Sequence, residues 1–201
     1  TALLAVPAPA RDSDARFSAM TWNLRLDLAS DGADAWPNRR AMVAALILYY
    51  APDLIGLQEV LHHQKTDLEA DLPDYTFVGV GRDDGKHAGE YSPVGFRTAR
   101  YRLLQSGTFW LSPTPDVPGK GWDAAYPRVA SWARLSDRRS GRVLLAVNTH
   151  MDHVGLTARL EGTRLIRGWI ARNRRAGEAV VLTGDFNSAS NSPAYGAVIA
   201  P

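Results

Sequence analysis

Five short polar motifs each sit at the end of an apolar run: TWNLR at 21–25, LQEV at 57–60, GEYS at 89–92, NTHMDH at 148–153 and LTGDFN at 182–187. This pattern constrains the fold, because a chain that buries the runs carries an amide, a carboxylate or an imidazole to the end of each one. A chain of 201 residues supports one domain with a real core, since such a domain buries roughly 70% of its unfolded surface. Cysteine is absent, which excludes disulfides, zinc–thiolate centres and cysteine nucleophiles. A net charge of +2 is too weak to argue for nucleic acid. The basic stretch RGWIARNRR at 167–175 reads as a helix end, where cations face the negative pole, with a phosphate-backbone patch as the alternative. No run reaches the roughly 18–20 apolar residues of a membrane helix. The opening TALLAVPAPA resembles the tail of a secretory signal, so residues 1–15 are expected to be an arm or signal remnant of an exported protein, ahead of one domain over 16–201.

Residues 16–23 alternate as a strand. Asp34 is the expected N-cap of a helix to Tyr50, with Pro37 in its first turn and Met42, Val43, Leu46, Ile47 and Tyr50 as its apolar stripe. A short buried strand at 54–57 and a helix at 62–71 follow. Four strands are expected at 75–80, 92–96, 101–108 and 130–135, with a proline- and glycine-rich surface loop at 112–126. A strongly apolar strand at 142–148, a helix at 156–173 with Leu156, Leu160, Thr163, Ile166 and Ile170 on one face, a strand at 179–182 and a short helix at 193–199 complete the chain. Mixed strands and helices without a repeat or linker predict an α/β sandwich, two packed sheets flanked by helices.

Asn23 and Glu59 close two of the strands. One carboxylate plus an amide oxygen suffices for Mg²⁺, which prefers oxygen ligands and keeps several waters. His150 follows an apolar strand and can donate to a phosphate oxygen, and Glu90 offers a carboxylate to fix its ring. Asp185 and Asn187 lie two apart, which suits a carboxylate orienting a water beside an amide holding phosphate. Arg128 offers a planar fork for an anion. His153 reads as a surface residue and His62-His63 as a helix start. Gly79-Val80-Gly81 lacks the third glycine of a dinucleotide loop. Trp110, Trp122 and Tyr126 either pack the core edge or offer stacking surfaces.

In motif order and residue type, the chain resembles the endonuclease/exonuclease/phosphatase superfamily with the DNase I-like fold. GEYSPVGFR, PRVASWARL and NTHMDHVG are most similar to bacterial members near the CCR4/nocturnin type. The resemblance implies a four-layer α/β sandwich and a Mg²⁺- or Mn²⁺-dependent hydrolase of phosphoesters in nucleic acid, nucleotides, phospholipids or sugar phosphates. It implies metal binding by Asn23 and Glu59, and phosphate contact by His150 with Glu90 beside it. Asp185 would orient the nucleophile, while Asn187 and Arg128 hold the phosphate. The family closes its site with a later Ser-Asp-His motif that these 201 residues do not reach. The expectation is therefore an incomplete C-terminal portion, a site completed by another segment, or a scaffold that binds without catalysis.

Overall fold

Strand alternation sorts the apolar residues into three layers in a computed structural model that describes residues 16–200. The expected arm at 1–15 lies outside the described residues. In chain order the elements are β1 (Ala19–Asn23), a 3-10 segment (Ala29–Asp34), α1 (Trp36–Tyr50), β2 (Leu54–Gln58), α2 (His62–Asp71), β3 (Tyr75–Val78) and β4 (Val94–Arg97). There follow β5 (Tyr101–Trp110), β6 (Val129–Asp137), β7 (Val143–His150), α3 (Leu156–Asn173), β8 (Ala179–Asp185) and α4 (Pro193–Ile199).

Two four-stranded mixed sheets run β1-β2-β4-β3 and β5-β6-β7-β8. In β2, Ile55 and Leu57 pack outward with Val43 and Ile47 of α1, Leu68 of α2 and Leu72 just after it. Leu54 faces inward, where with Val94 and Phe96 it meets Ala133, Leu135, Leu144 and Ala146 of the second sheet. In β7, Leu145 and Val147 turn outward towards Ile166 of α3. This is the layered sandwich the sequence predicts, with a dry seam between the sheets.

At one end of the seam the apolar residues give way to amides. The Asn148 Nδ2 donates to the carbonyls of Leu57 at 2.7 Å and Pro93 at 3.0 Å, while its Oδ1 accepts from Gln58 Nε2 at 2.8 Å and Thr183 Oγ1 at 3.1 Å. Both amides are buried and satisfied, as burial requires. Gly56 permits this closeness: a Cβ there would stand 2.1 Å from Thr183 Oγ1 and 2.5 Å from Asn148 Oδ1.

Several local expectations need correction. Ala35, not Asp34, caps α1, because Asp34 closes the preceding 3-10 segment; the first helical N–H, that of Trp36, is taken by Asp27 Oδ1 at 3.2 Å. The buried stripe of α1 is Trp36, Val43, Ala44 and Ile47, while Met42 and Tyr50 are exposed. Leu156 of α3 is also exposed. Strands β7 and β8 run further than 148 and 182, to His150 and Asp185, since polar residues extend a strand wherever a partner strand offers its backbone.

Candidate active site

The longer strands set the site. β7 and β8 are parallel, and their register ends on the pair His150 and Asp185. β1 and β2 are likewise parallel and end on Asn23 and Gln58, one residue before Glu59. Four strand ends, two from each sheet, thus open on one rim. Glu59 and Asn187 leave their strands in the left-handed region, at φ 59° and 44°, conformations that cost a non-glycine residue about 1–2 kcal/mol. Such strain is characteristic of functional positions.

Asn23 bridges the seam. Its Nδ2 donates to Glu59 Oε1 at 2.8 Å and to Asp185 Oδ2 at 3.0 Å. Burial works against a charge on Asp185, but hydrogen bonds from Asn23 and from the Asn187 backbone outweigh it and hold the carboxyl below its usual range. The other Glu59 oxygen accepts from Leu26 N at 3.3 Å. Among the described residues neither carboxylate has a Lys or Arg ion pair, and no group of three or more His, Asp or Glu gathers as a metal cage. The Asn23 Oδ1 is turned away and accepts from Arg25 N at 2.9 Å, so the oxygen donors that meet here are the two carboxylates, a pair that fits a hard divalent cation with most of its water retained.

His150 is buried, and its tautomer follows from its neighbour. The Asn187 Nδ2 donates to the Met151 carbonyl at 3.0 Å and approaches His150 Nε2 at 3.1 Å. Nε2 is therefore the acceptor, and the ring proton sits on Nδ1. Burial, then the Arg128 guanidinium, pushes the imidazole down to about 4, so it is neutral near pH 7. Glu90, expected to fix this ring, stands 3.8 Å from Nδ1, beyond hydrogen-bond reach. Its carboxylate instead takes both terminal nitrogens of Arg82 at 2.8 Å. Both Asn187 amide hydrogens are spent on protein, so Asn187 steadies His150 and offers the cavity no donor.

Arg128 is held from two sides. Its Nε donates to Asp152 Oδ2 at 3.3 Å and its Nη2 to His153 Nδ1 at 3.0 Å. Burial, then the nearby Arg82, lowers its pKa. Asp152 also accepts from the backbone N–H groups of Ala125, Tyr126, Val154 and Gly155. It thereby ties the 112–126 loop to the start of α3, helped by Asp123, which accepts from Thr157 N and Ala158 N. Together Arg25, Glu59, Arg82, Glu90, Tyr126, Arg128, His150, His153, Asp185 and Asn187 line a cavity of about 530 Å³. The seven residues expected from the sequence, Asn23, Glu59, Glu90, Arg128, His150, Asp185 and Asn187, all converge on this rim, and Arg82 and Asp152, which carry no local sequence signal, join them.

The family model described as "Endonuclease/Exonuclease/phosphatase family" matches residues 20–197. The chain belongs to that family. A family structure from Bacteroides vulgatus is 44% identical with a TM-score of 0.88, covering 92% of this chain and 71% of that one. The mannosyl-6-phosphatase of Bacteroides thetaiotaomicron is 40% identical, again with a TM-score of 0.88, covering 92% and 70%. Nocturnin of Drosophila melanogaster is 25% identical over 214 residues, 96% of this chain. The chain spans 32% of nocturnin's length and 59% of that of a matched mimivirus protein. Among the described residues no helix is long and apolar enough to cross a membrane.

Proposed function

We propose that this family member is a divalent-cation-dependent phosphoester hydrolase. The observation that carries the reading is the union, across one seam, of Asn23 and Glu59 from the first sheet with Asp185, His150 and Arg128 from the second. Glu59 would hold Mg²⁺ or Mn²⁺, with Asp185 beside it and Asn23 bridging the two. When bound, such a cation supplies Lewis-acid stabilisation of charge on phosphoryl oxygens. The chain's own groups supply the rest. Asp185, anionic at neutral pH, accepts a hydrogen bond from water and orients it. The neutral His150 presents Nδ1–H to a phosphate oxygen, and Arg128 presents its remaining N–H to the same group, where charge builds in the transition state. The cavity is small, and the similarity to a mannosyl-6-phosphatase makes sugar phosphates the first substrates to try.

The test is hydrolysis of p-nitrophenyl phosphate and bis(p-nitrophenyl) phosphate with Mg²⁺ or Mn²⁺, set against EDTA and Glu59→Gln. Turnover that needs metal and disappears in Glu59→Gln is expected. A folded wild-type chain that binds Mg²⁺ yet cleaves neither ester would instead make this a binding scaffold.

A further inference from the structure

We infer that Arg82, Arg128 and His150 form a receptor for the doubly charged head of a phosphomonoester, and that this receptor excludes diesters. The inference rests on the hydrolase reading for its catalytic consequence but on separate observations for its geometry. Each of the three side chains is more than nine-tenths buried. Each keeps one buried nitrogen with no hydrogen-bond partner among the described residues: Arg82 Nε, Arg128 Nη1 and His150 Nδ1. All three residues line the same cavity. Every other polar atom of these groups is engaged: Arg82 by Glu90, Arg128 by Asp152 and His153, and His150 by Asn187. A buried donor without an acceptor is costly; the nearest carboxylates, Asp83 at 3.8 Å from Arg82 Nε and Glu90 at 3.8 Å from His150 Nδ1, stand beyond hydrogen-bond reach, so an anion entering this cavity would bring the acceptor these residues lack.

Arg82 is placed by its loop. Gly81 N donates to the Lys86 carbonyl at 3.0 Å, Asp83 N to that of Ala88 at 3.1 Å, and the Trp110 indole to the Arg82 carbonyl at 2.7 Å. The segment after the glycine pair that falls short of a dinucleotide loop is thus a braced mount for a guanidinium lying 5.1 Å over the Tyr126 ring.

Counting oxygens decides the substrate class. A monoester phosphate has three non-bridging oxygens, so one can face the Glu59–Asp185 side while two accept from the arginine wall. A diester has two, and its second ester oxygen would turn a carbon substituent and a poor acceptor towards those donors. Charge acts in the same direction. A monoester is dianionic above its second pKa of about 6, and hydrogen bonds from guanidinium strengthen with acceptor charge.

Calorimetric titration of inorganic phosphate and of dimethyl phosphate into the full chain at about pH 8, where phosphate is mainly dianionic, tests this with Mg²⁺ and again with EDTA. Phosphate is expected to bind at least about tenfold more tightly than dimethyl phosphate, the equivalent of one charge-assisted hydrogen bond. Arg82→Lys, and the charge-balanced double variant Arg82→Gln with Glu90→Gln, should erase that ratio while circular dichroism shows them folded. Equal affinity for the two anions, no phosphate binding by folded wild type, or an unchanged ratio in the folded variants would overturn the receptor. Selective phosphate binding without ester turnover would uphold the receptor and defeat the hydrolase reading. Preferential cleavage of the diester would do the reverse.

Discussion

Replacing Asp152 with Asn removes one charge at nearly constant volume from the residue that fastens the arginine side of the cavity. The two carboxylate oxygens serve different segments. Oδ1 accepts from Val154 N at 2.9 Å and Gly155 N at 2.7 Å, at the entry to α3. Oδ2 accepts from Ala125 N at 3.0 Å, Tyr126 N at 3.4 Å and Arg128 Nε at 3.3 Å. An amide offers only one such oxygen, so whichever way it turns, one set of donors meets another donor. Orphaning two or three buried donors costs about 1–3 kcal/mol each. Stranding Arg128 makes about 3–5 kcal/mol in all, the usual penalty for breaking a buried ion pair. That is a large part of a domain stability of about 5–15 kcal/mol. Urea denaturation should show a lower midpoint at unchanged slope. Burial opposes the Asp152 charge, yet the backbone hydrogen bonds and Arg128 hold its carboxyl well below the usual range. Its contribution is therefore complete above the unfolded value of about 4 and lost as pH falls further. The gap between wild type and Asp152→Asn should be constant from neutral pH to about 5 and narrow only in stronger acid. A loss under about 1 kcal/mol at neutral pH would refute the claim that this carboxylate assembles the pocket.

Three further outcomes follow from the geometry. Gly56→Ala should lower stability by about 1–3 kcal/mol or more, because its Cβ collides with buried polar atoms of the facing sheet; a thermal melt matching wild type would contradict this. Asn187→Ala should leave the fold nearly intact while lowering kcat by about 10²-fold, since His150 loses the partner that fixes its tautomer; steady-state kinetics on a nitrophenyl ester decides it. His150, held at about 4 against about 6.5 when unfolded, makes the unfolded chain bind more protons between those values. Stability should rise with pH across that window, and an imidazole NMR titration centred near the free value would contradict the assignment.

Much of this architecture was readable because the apolar runs alternate or recur at helical spacing, and each ends on a polar residue. What escaped depends on partners far along the chain. Strand ends at His150 and Asp185 were missed because their polarity resembles a loop until the parallel register between β7 and β8 supplies hydrogen bonds. Asp152 carries no signal of its own between Met151 and His153, since nothing local shows that Ala125, Tyr126 and Arg128 bring it three donors. Arg82 follows a glycine pair that makes no motif, and nothing local shows that Glu90, eight residues on, takes its fork. The left-handed backbone of Glu59 has no sequence signature, because glycine is the residue that normally marks it.

The seam has a mechanical consequence. Glu59, Asn23 and Arg82 ride on one sheet or its loops, and Asp185, His150 and Arg128 on the other, so any molecule gripping both sides becomes a cross-brace. Its binding adds to the docking of the halves by mass action, about 2.7 kcal/mol at a hundredfold excess over Kd. Substitutions deep in the apolar layer between Leu54 and Ala146, far from any reacting atom, would then first register as weakened ligand affinity. The hydrophobic interior sets the span of the jaws, and the ligand measures it.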